Sequence, residues 1–241
     1  MATNETEVWK RERAARVNLS ARGIPILCAD LILGGRLRET NAVSLARGVL
    51  NGPDRLLVLS GLVGVGKTVA ACVALAEATP TAPSPDASPN SSSSPEVSER
   101  IGEGFDPYSQ RWLDANGPHS CAPSFMTAPE LSRLDRFAEG TVQKLALPYL
   151  LVIDDLGVEY SDQKGWFRAL LDEVVDTRYA AGRRTILTTN LSAKDFRTRY
   201  GDRILDRVKG AGRFHELLGP SLRVPPARNA PPLVAVGEGE R

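Results

Sequence analysis

Residues 61–68 read GLVGVGKT, the complete G-x-x-x-x-G-K-[ST] pattern of a P-loop, or Walker A motif. The apolar run at 56–59 that precedes it is typical of a strand buried on both faces, and the apolar stretch from 67 to 78 is typical of a helix. In this setting the loop's backbone N–H groups can turn towards phosphates, and the helix N-terminus adds positive potential. A fortuitous glycine turn is the alternative, and it would arise by chance in roughly 1 of 200 chains of this composition.

The pattern assigns roles in binding ATP and Mg²⁺. Lys67 is expected to reach the β- and γ-phosphates, and Thr68 to offer its hydroxyl to Mg²⁺. Only six of the 30 basic residues are lysines, so a lysine at this position does not reflect composition. The residues expected to bind the nucleotide are Gly61, Gly64, Val65, Gly66, Lys67, Thr68 and Val69.

Composition excludes several classes of protein. The 241 residues carry 30 basic and 29 acidic side chains, a formal net charge of +1, which argues against a polybasic protein but allows a local basic surface. Three well-separated cysteines and two histidines argue against a disulfide framework and a structural zinc site. No apolar run approaches the roughly 18 residues of a membrane span, so no membrane partner is expected and the cytoplasm is the expected location.

A second motif, LLVIDD at 150–155, is a buried-type strand that ends in paired carboxylates and resembles a Walker B motif. Asp154 is expected to hold Mg²⁺, and Asp155 to orient and polarise the attacking water. The alternative is a simple turn at the end of a strand. Compared with Glu at the second position, the shorter Asp155 sets its carboxylate about 1 Å further back, which predicts slow hydrolysis.

Asn190 follows the next strand-like run, TILTT at 185–189. Because the carboxyl ends of parallel strands meet at one edge of a sheet, its amide is expected beside the P-loop as a sensor of the γ-phosphate. A loop asparagine ahead of the helix cap at Ser192 is the plainer alternative.

The alternation of buried-type strands with helices predicts an α/β fold with a parallel sheet and helices on both faces. Residues 1–52 are interpreted as a helical partner-binding region, 53–223 as the ATPase domain and 224–241 as a disordered tail. A disordered insertion is predicted at about 79–123, because 12 of the 20 residues at 79–98 are Pro or Ser.

Several segments together resemble the DnaC/IstB family of AAA+ ATPases. They are FMTAPELSRL at 125–134, YLLVIDDLG at 149–157, DTRYAAGRRT at 176–185, ILTTNLS at 186–192 and YGDRILDRV at 200–208. The resemblance implies an AAA+-type P-loop NTPase that lacks a C-terminal helical lid. It also implies a DNA replication helicase loader or, alternatively, the ATPase helper of a transposase.

The family resemblance further implies a homo-oligomer in which an arginine of one subunit reaches the γ-phosphate bound by its neighbour. Arg207 matches the motif position best and Arg203 second, and both are therefore catalytic candidates. Spaced i, i+4, they could equally form a solvated helix face.

Partners follow from charge and from the resemblance. Residues 178–213 contain ten basic and three acidic side chains, a stretch that could contact a DNA backbone, with single-stranded DNA as the leading expectation, or form solvated helix surface. The resemblance implies that the N-terminal region binds a replicative helicase or a transposase.

Two other functions remain open from the sequence. A small-molecule P-loop kinase would need an acceptor-binding lid and no arginine from a second subunit. An interaction module would bind ATP without useful hydrolysis. The leading hypothesis is a slow, assembly-dependent ATPase switch.

Overall fold

The structure is a computed structural model that describes residues 2–78, 122–134, 140–159 and 165–223. The insertion predicted at about 79–123 lies outside these residues except for 122 and 123. The predicted tail at 224–241 also lies outside them. The sequence predicts a helix cap at Ser161 or Asp162, and these two residues lie outside the described ranges as well.

Five parallel strands form one sheet, with the spatial order β2-β3-β4-β1-β5. The acidic strand β3 is separated from the P-loop strand β1 by β4, the strand that carries Asn190 at its end. The strands are β1 Leu56–Gly61, β2 Ser124–Thr127, β3 Leu150–Leu156, β4 Arg184–Thr189 and β5 Gly212–Leu217.

Nine helices lie in the described residues. None of them is long and apolar enough to cross a membrane, and residues 218–223, which follow β5, contain no helix. The helices are α1 Ala2–Ala21, α2 Ile26–Leu33, α3 Asn41–Asn51, α4 Lys67–Glu77, α5 Ala128–Ser132, α6 Thr141–Ala146, α7 Trp166–Ala180, α8 Ala193–Tyr200 and α9 Asp202–Ala211.

Both faces of the sheet are covered, as the continuous apolar runs predict. Leu57 and Leu59 face a core that includes α3 and α4, whereas Leu56 and Val58 face a second core that includes α7, α8 and α9. This division follows from the two-residue period of a strand, which sends successive side chains to opposite faces. The predicted α/β fold, a parallel sheet with helices on both faces and a P-loop between β1 and α4, is confirmed.

The N-terminal helices pack into the same core as the P-loop helix. Leu19, Cys28 and Val43, from α1, α2 and α3, are buried together with Leu75 of α4. The predicted division at residues 52 and 53 stays a prediction, but the two parts share apolar contacts. Helix α2 was not predicted from the sequence.

Local capping signals predict the starts of helices well. Thr127 and Glu130 form the expected capping box, and Thr40 and Ser192 accept backbone N–H groups at the starts of α3 and α8. The Thr-x-x-Glu pattern at 127–130 predicts a helix that runs to residue 139 or 140. The predicted start is confirmed, but the predicted end is wrong because α5 ends at Ser132.

Arg178 is the largest fully buried side chain. Its guanidinium donates to the carbonyls of Leu145, Ala146 and Pro148 at 3.0–3.1 Å, and to the Thr185 hydroxyl at 2.9 Å. It thereby ties the end of α6 to the start of β4. Arg178 is one of the ten basic residues at 178–213, but it cannot contribute to a basic surface because it is fully buried.

We expect Arg178→Met to lower the free energy of unfolding by about 3 kcal/mol or more, because several buried carbonyls would lose a charged donor. Chemical denaturation measures this change, with Arg183→Met as a control at a partly exposed arginine nearby. A loss below about 1 kcal/mol would contradict the structural role of Arg178.

Candidate nucleotide-binding site

The P-loop joins β1 to α4 through glycines with left-handed backbone conformations. Gly64 has φ +88° and Gly66 has φ +94°, values that L side chains rarely adopt, and Gly66 is the residue at the start of α4. The sequence requires glycine at these positions because the chain must reverse direction within a few residues and leave the N–H groups of α4 exposed to a ligand.

Lys67 is buried at the first position of α4, with 6% of its surface exposed. Its ammonium group donates to the carbonyls of Gly61 and Leu62 at 2.7 and 2.8 Å, and to Asn190 Oδ1 at 2.8 Å. Burial lowers the pKa of Lys67, against the opposing charges of Asp155 and Asp154. Asn190 therefore lies beside the P-loop lysine, as its position after β4 predicts.

Asp154 is buried at the end of β3 and bonded from both sides. Its carboxylate accepts a hydrogen bond from the Thr188 hydroxyl at 2.6 Å and from the Thr68 hydroxyl at 3.1 Å. Burial raises the pKa of Asp154 to about 6, the charge of Asp155 adds to this effect, and the two hydroxyl donors and Lys67 oppose it. The predicted metal pair, Thr68 and Asp154, is thus in contact.

The donor set of this pair fits Mg²⁺. A hydroxyl oxygen and a carboxylate oxygen are hard ligands of the kind that Mg²⁺ prefers, and such sites are completed by substrate phosphates and water. The pair lies at the N-terminus of α4 beside the glycine loop, where phosphates are expected to bind.

Asp155 is the one non-glycine residue with positive φ among the described residues, at +58°. The pairing of β3 with β4 shifts register between Ile153 and Leu156, so that Asp154 and Asp155 form a bulge. The Asp155 N–H donates to the Thr188 hydroxyl at 2.9 Å, which holds this conformation. Bulges re-aim side chains, and here Asp155 is directed into the cavity beside Lys67.

A cavity of about 660 Å³ lies over the P-loop, large enough for a nucleotide. Gly64, Gly66, Lys67, Thr68 and Val69 line it from the predicted set, whereas Gly61 and Val65 are not among its lining residues. Gly61 instead contributes its carbonyl to Lys67, and Val65 is buried.

Two further segments line this cavity and were not assigned to it from the sequence. One is the connection between α2 and α3 with the start of α3; its lining residues are Arg36, Leu37, Arg38, Thr40 and Val43. No local motif marks this segment, because it meets the P-loop only through tertiary packing.

The second segment follows β5 and crosses the P-loop. The Leu222 N–H donates to the Gly64 carbonyl at 2.8 Å, and a Cβ at Gly64 would overlap Ser221. Arg223 lines the cavity, and its charge contributes to the lowered pKa of Lys67. By its position in the sequence alone, Arg223 is expected to be a solvated tail arginine rather than a phosphate contact. This expectation is wrong, because Arg223 lines the cavity of the candidate site.

Arg203 and Arg207 are not among the residues that line this cavity. Both lie on α9 and form ion pairs with Asp172 and Asp176 of α7. Within one subunit the structure therefore does not bring Arg203 or Arg207, the two arginines predicted to reach a γ-phosphate, to the P-loop. A role in hydrolysis requires that they reach the site of another subunit.

No protein-family model matches the sequence, and no curated protein matches it. Among solved structures the chain is similar to a DnaC helicase loader, at 19% identity over 76% of this chain and 94% of that one, with a TM-score of 0.48. It is also similar to DnaI, at 16% identity over 78% and 87% of the two chains, with a TM-score of 0.45. A third similar structure is domain III of the Thermotoga maritima replication initiation protein DnaA. It is 18% identical over 74% of this chain and 62% of that one, with a TM-score of 0.44.

The DnaC helicase loader bears a name of the family that the sequence resembles. At identities below 20% and TM-scores below 0.5, the functional conclusions rest on the residues of this chain.

In the protein without nucleotide or Mg²⁺, Asp154→Asn is expected to raise the free energy of unfolding at pH 8, by on the order of 2 kcal/mol. The folded-state pKa of Asp154 lies above its unfolded value, so ionisation destabilises the fold fully above about pH 6. This cost is lost as the pH falls through 6 towards 4, and the advantage of Asn should disappear with it.

Urea denaturation at pH 8, 6 and 4 tests this, with Glu173→Gln as a control at an exposed carboxylate. A variant that is less stable than the wild type at pH 8 would show that the Asp154 charge stabilises the empty site.

Proposed function

We propose that this protein is an ATP-binding and ATP-hydrolysing AAA+ switch of the DnaC/IstB type. The observation that carries the proposal is the convergence of Lys67, Asp154, Asp155 and Asn190 at one edge of the sheet. Lys67, Asp155 and Asn190 line the cavity over the P-loop, and Asp154 lies behind Thr68, which also lines it. These groups come from the start of α4, from β3 and from the residue after β4, and they supply the parts that phosphoryl transfer needs: a cation, a metal ligand, a water-orienting carboxylate and a polar sensor.

Each side chain has a task in hydrolysis. Mg²⁺, when bound with ATP, would neutralise charge on the β- and γ-phosphates. Lys67 exchanges its loop carbonyl partners for phosphate oxygens, and the exposed N–H groups at the start of α4 bind the same oxygens. Asp155 accepts a hydrogen bond from the attacking water, and Asn190 fixes that water or the γ-phosphate.

The chemistry is completed by a second subunit in this proposal. Arg207, with Arg203 as the alternative, would stabilise charge on the transferred phosphoryl group in the neighbouring site. Support comes from the positions of both arginines, which lie away from the cavity of their own subunit. Hydrolysis is then slow in the isolated subunit and rises with protein concentration.

We expect Lys67→Ala to lower ATP affinity and hydrolysis by about 100-fold or more, and Asp155→Asn to abolish hydrolysis while ATP still binds. Arg207→Ala should remove the rise of hydrolysis with protein concentration, so that the rate of the assembled protein falls by about 10- to 1000-fold. Its affinity for ATP should not change. Phosphate release across a protein concentration series measures hydrolysis, and a fluorescent ATP analogue measures binding.

Arg213→Ala is the matched control for Arg207→Ala, because Arg213 is an exposed arginine that pairs with Asp54. Unchanged activity in Arg207→Ala would contradict the shared site. Phosphate transfer to a small acceptor, without hydrolysis in its absence, would favour the kinase. ATP binding without turnover at any protein concentration would favour the interaction module.

The proposed biological role is that of a replicative helicase loader that acts on DNA, with the transposase helper as the alternative. Co-purification of the protein with the purified replicative helicase, compared with a transposase encoded in an adjacent reading frame, separates the two roles.

Most of the basic residues proposed to contact DNA are buried or paired with carboxylates. Of the ten basic residues at 178–213, Arg178 and Arg184 are buried. Ion pairs with carboxylates in the same chain occupy five more: Arg197, Arg199, Arg203, Arg207 and Arg213. Arg183 is half-buried. Lys194 and Lys209 are exposed and have no ion pair within the described residues.

We therefore expect Lys194→Ala and Lys209→Ala together to weaken binding of single-stranded DNA. The slope of log affinity against log salt concentration should fall by about 0.7 for each lysine that contacts a phosphate. Fluorescence anisotropy at several salt concentrations measures both quantities, with Lys144→Ala on α6 as the control. An unchanged slope would exclude this surface as the DNA contact.

A further inference from the structure

Two helices present matching pairs of opposite charge on their facing surfaces. Asp172 and Asp176 are four residues apart on α7, and Arg203 and Arg207 are four residues apart on α9. Arg203 Nη1 lies 2.9 Å from Asp172 Oδ2, and Arg207 Nε lies 2.7 Å from Asp176 Oδ1. Arg203 Nη2 also lies 3.8 Å from the other oxygen of Asp176, a longer and weaker contact. The pair formed by Asp176 and Arg207 contains the better candidate for the arginine that reaches the neighbouring subunit's γ-phosphate.

The two arginines are held differently. Arg207 donates through both Nε and Nη2 to the same oxygen of Asp176, and its guanidinium lies over the Tyr179 ring, 5.8 Å from the ring centroid. The Arg207 side chain is 23% exposed, whereas that of Arg203 is 64% exposed. The guanidinium of Arg207 is therefore held by Asp176 along its Nε–Nη2 edge and by the Tyr179 ring on one face. The guanidinium of Arg203 is held mainly through its terminal nitrogen Nη1.

This arrangement leaves one side of the Arg207 guanidinium available. Within the described residues, its Nη1 group has no hydrogen-bond partner, and a guanidinium presents five N–H donors in a rigid plane. Asp176 and Tyr179 lie three residues apart on α7, so they contact Arg207 from one helix face. The side chain is thus oriented before any second subunit arrives.

An arginine that acts across an interface must otherwise give up the freedom of a long side chain when the complex forms. Holding the guanidinium in advance reduces this loss, and donors that are already in place are the ones that stabilise a transition state best. The carboxylate engages the Nε edge and so orients the group without occupying the Nη1 nitrogen.

Building on the proposed function, we propose that Asp176 is the positioning residue for Arg207. It holds the guanidinium on α9 in the orientation in which Nη1 reaches the phosphate bound by the neighbouring subunit. Asp172 pairs with Arg203 and has no such role in hydrolysis.

A double-mutant cycle tests this assignment, because it isolates the energy that two residues share. The variants are Asp176→Asn, Arg207→Ala and their combination, with Asp172→Asn as the matched control on the same helix face. Concentration-dependent ATP hydrolysis, affinity for a fluorescent ATP analogue and thermal unfolding are measured for each.

Asp176→Asn is expected to lower kcat of the assembled protein by about 10-fold, at unchanged KM and ATP affinity. In the Arg207→Ala background the same substitution should change kcat by less than 2-fold. Asp172→Asn should stay within 2-fold of the wild type, and Asp176→Glu should restore part of the activity.

Three results would overturn the assignment of Asp176. The first is a wild-type kcat in Asp176→Asn when Arg207→Ala is impaired, and the second is an increased kcat in Asp176→Asn. The third is an equal loss of kcat from Asp176→Asn in the wild type and in the Arg207→Ala variant, which would indicate a structural role. A wild-type kcat in Arg207→Ala itself would instead remove the shared site, and the positioning role with it.

Discussion

Two opposite charges are buried together at the carboxyl edge of the sheet, and the rest of the site depends on how they are satisfied. Lys67 and Asp154 are both nearly inaccessible to solvent, and an isolated buried charge is strongly unfavourable. The chain therefore surrounds them with donors and acceptors: loop carbonyls and Asn190 for the ammonium, and the hydroxyls of Thr68 and Thr188 for the carboxylate.

These same partners explain the local backbone. Thr188 binds both the carboxylate of Asp154 and the N–H of Asp155, which allows β3 to bulge and Asp155 to adopt a left-handed conformation. Backbone strain of this kind persists only where the surrounding structure holds it, and it is common at functional sites. The partners of Lys67 and Asp154 thus stabilise both the buried charges and the backbone conformation around them.

Charge illustrates where counting along the sequence fails. The stretch at 178–213 has a local excess of seven positive charges, yet most of its arginines are buried or paired with acids from other segments. Four of the five ion-paired arginines have partners outside the stretch, such as Glu159 and Asp54, so a count over the stretch misses the acids that neutralise them. The ion pairs of Arg203 and Arg207 also differ, since the Arg207 side chain is 23% exposed and that of Arg203 is 64% exposed.

Sequence alone determined the features that arise within a few residues: the P-loop and its glycines, the acidic end of β3, the caps at Thr127 and Ser192, and the apolar runs that require a sheet covered on both faces. These follow from local backbone geometry and from side-chain periodicity. Helix α2, the early end of α5, the cavity wall at Arg36–Thr40 and the crossing of the P-loop by Leu222 came only from the tertiary structure. Each depends on contacts between segments far apart in the chain, and such contacts leave no pattern in either segment by itself.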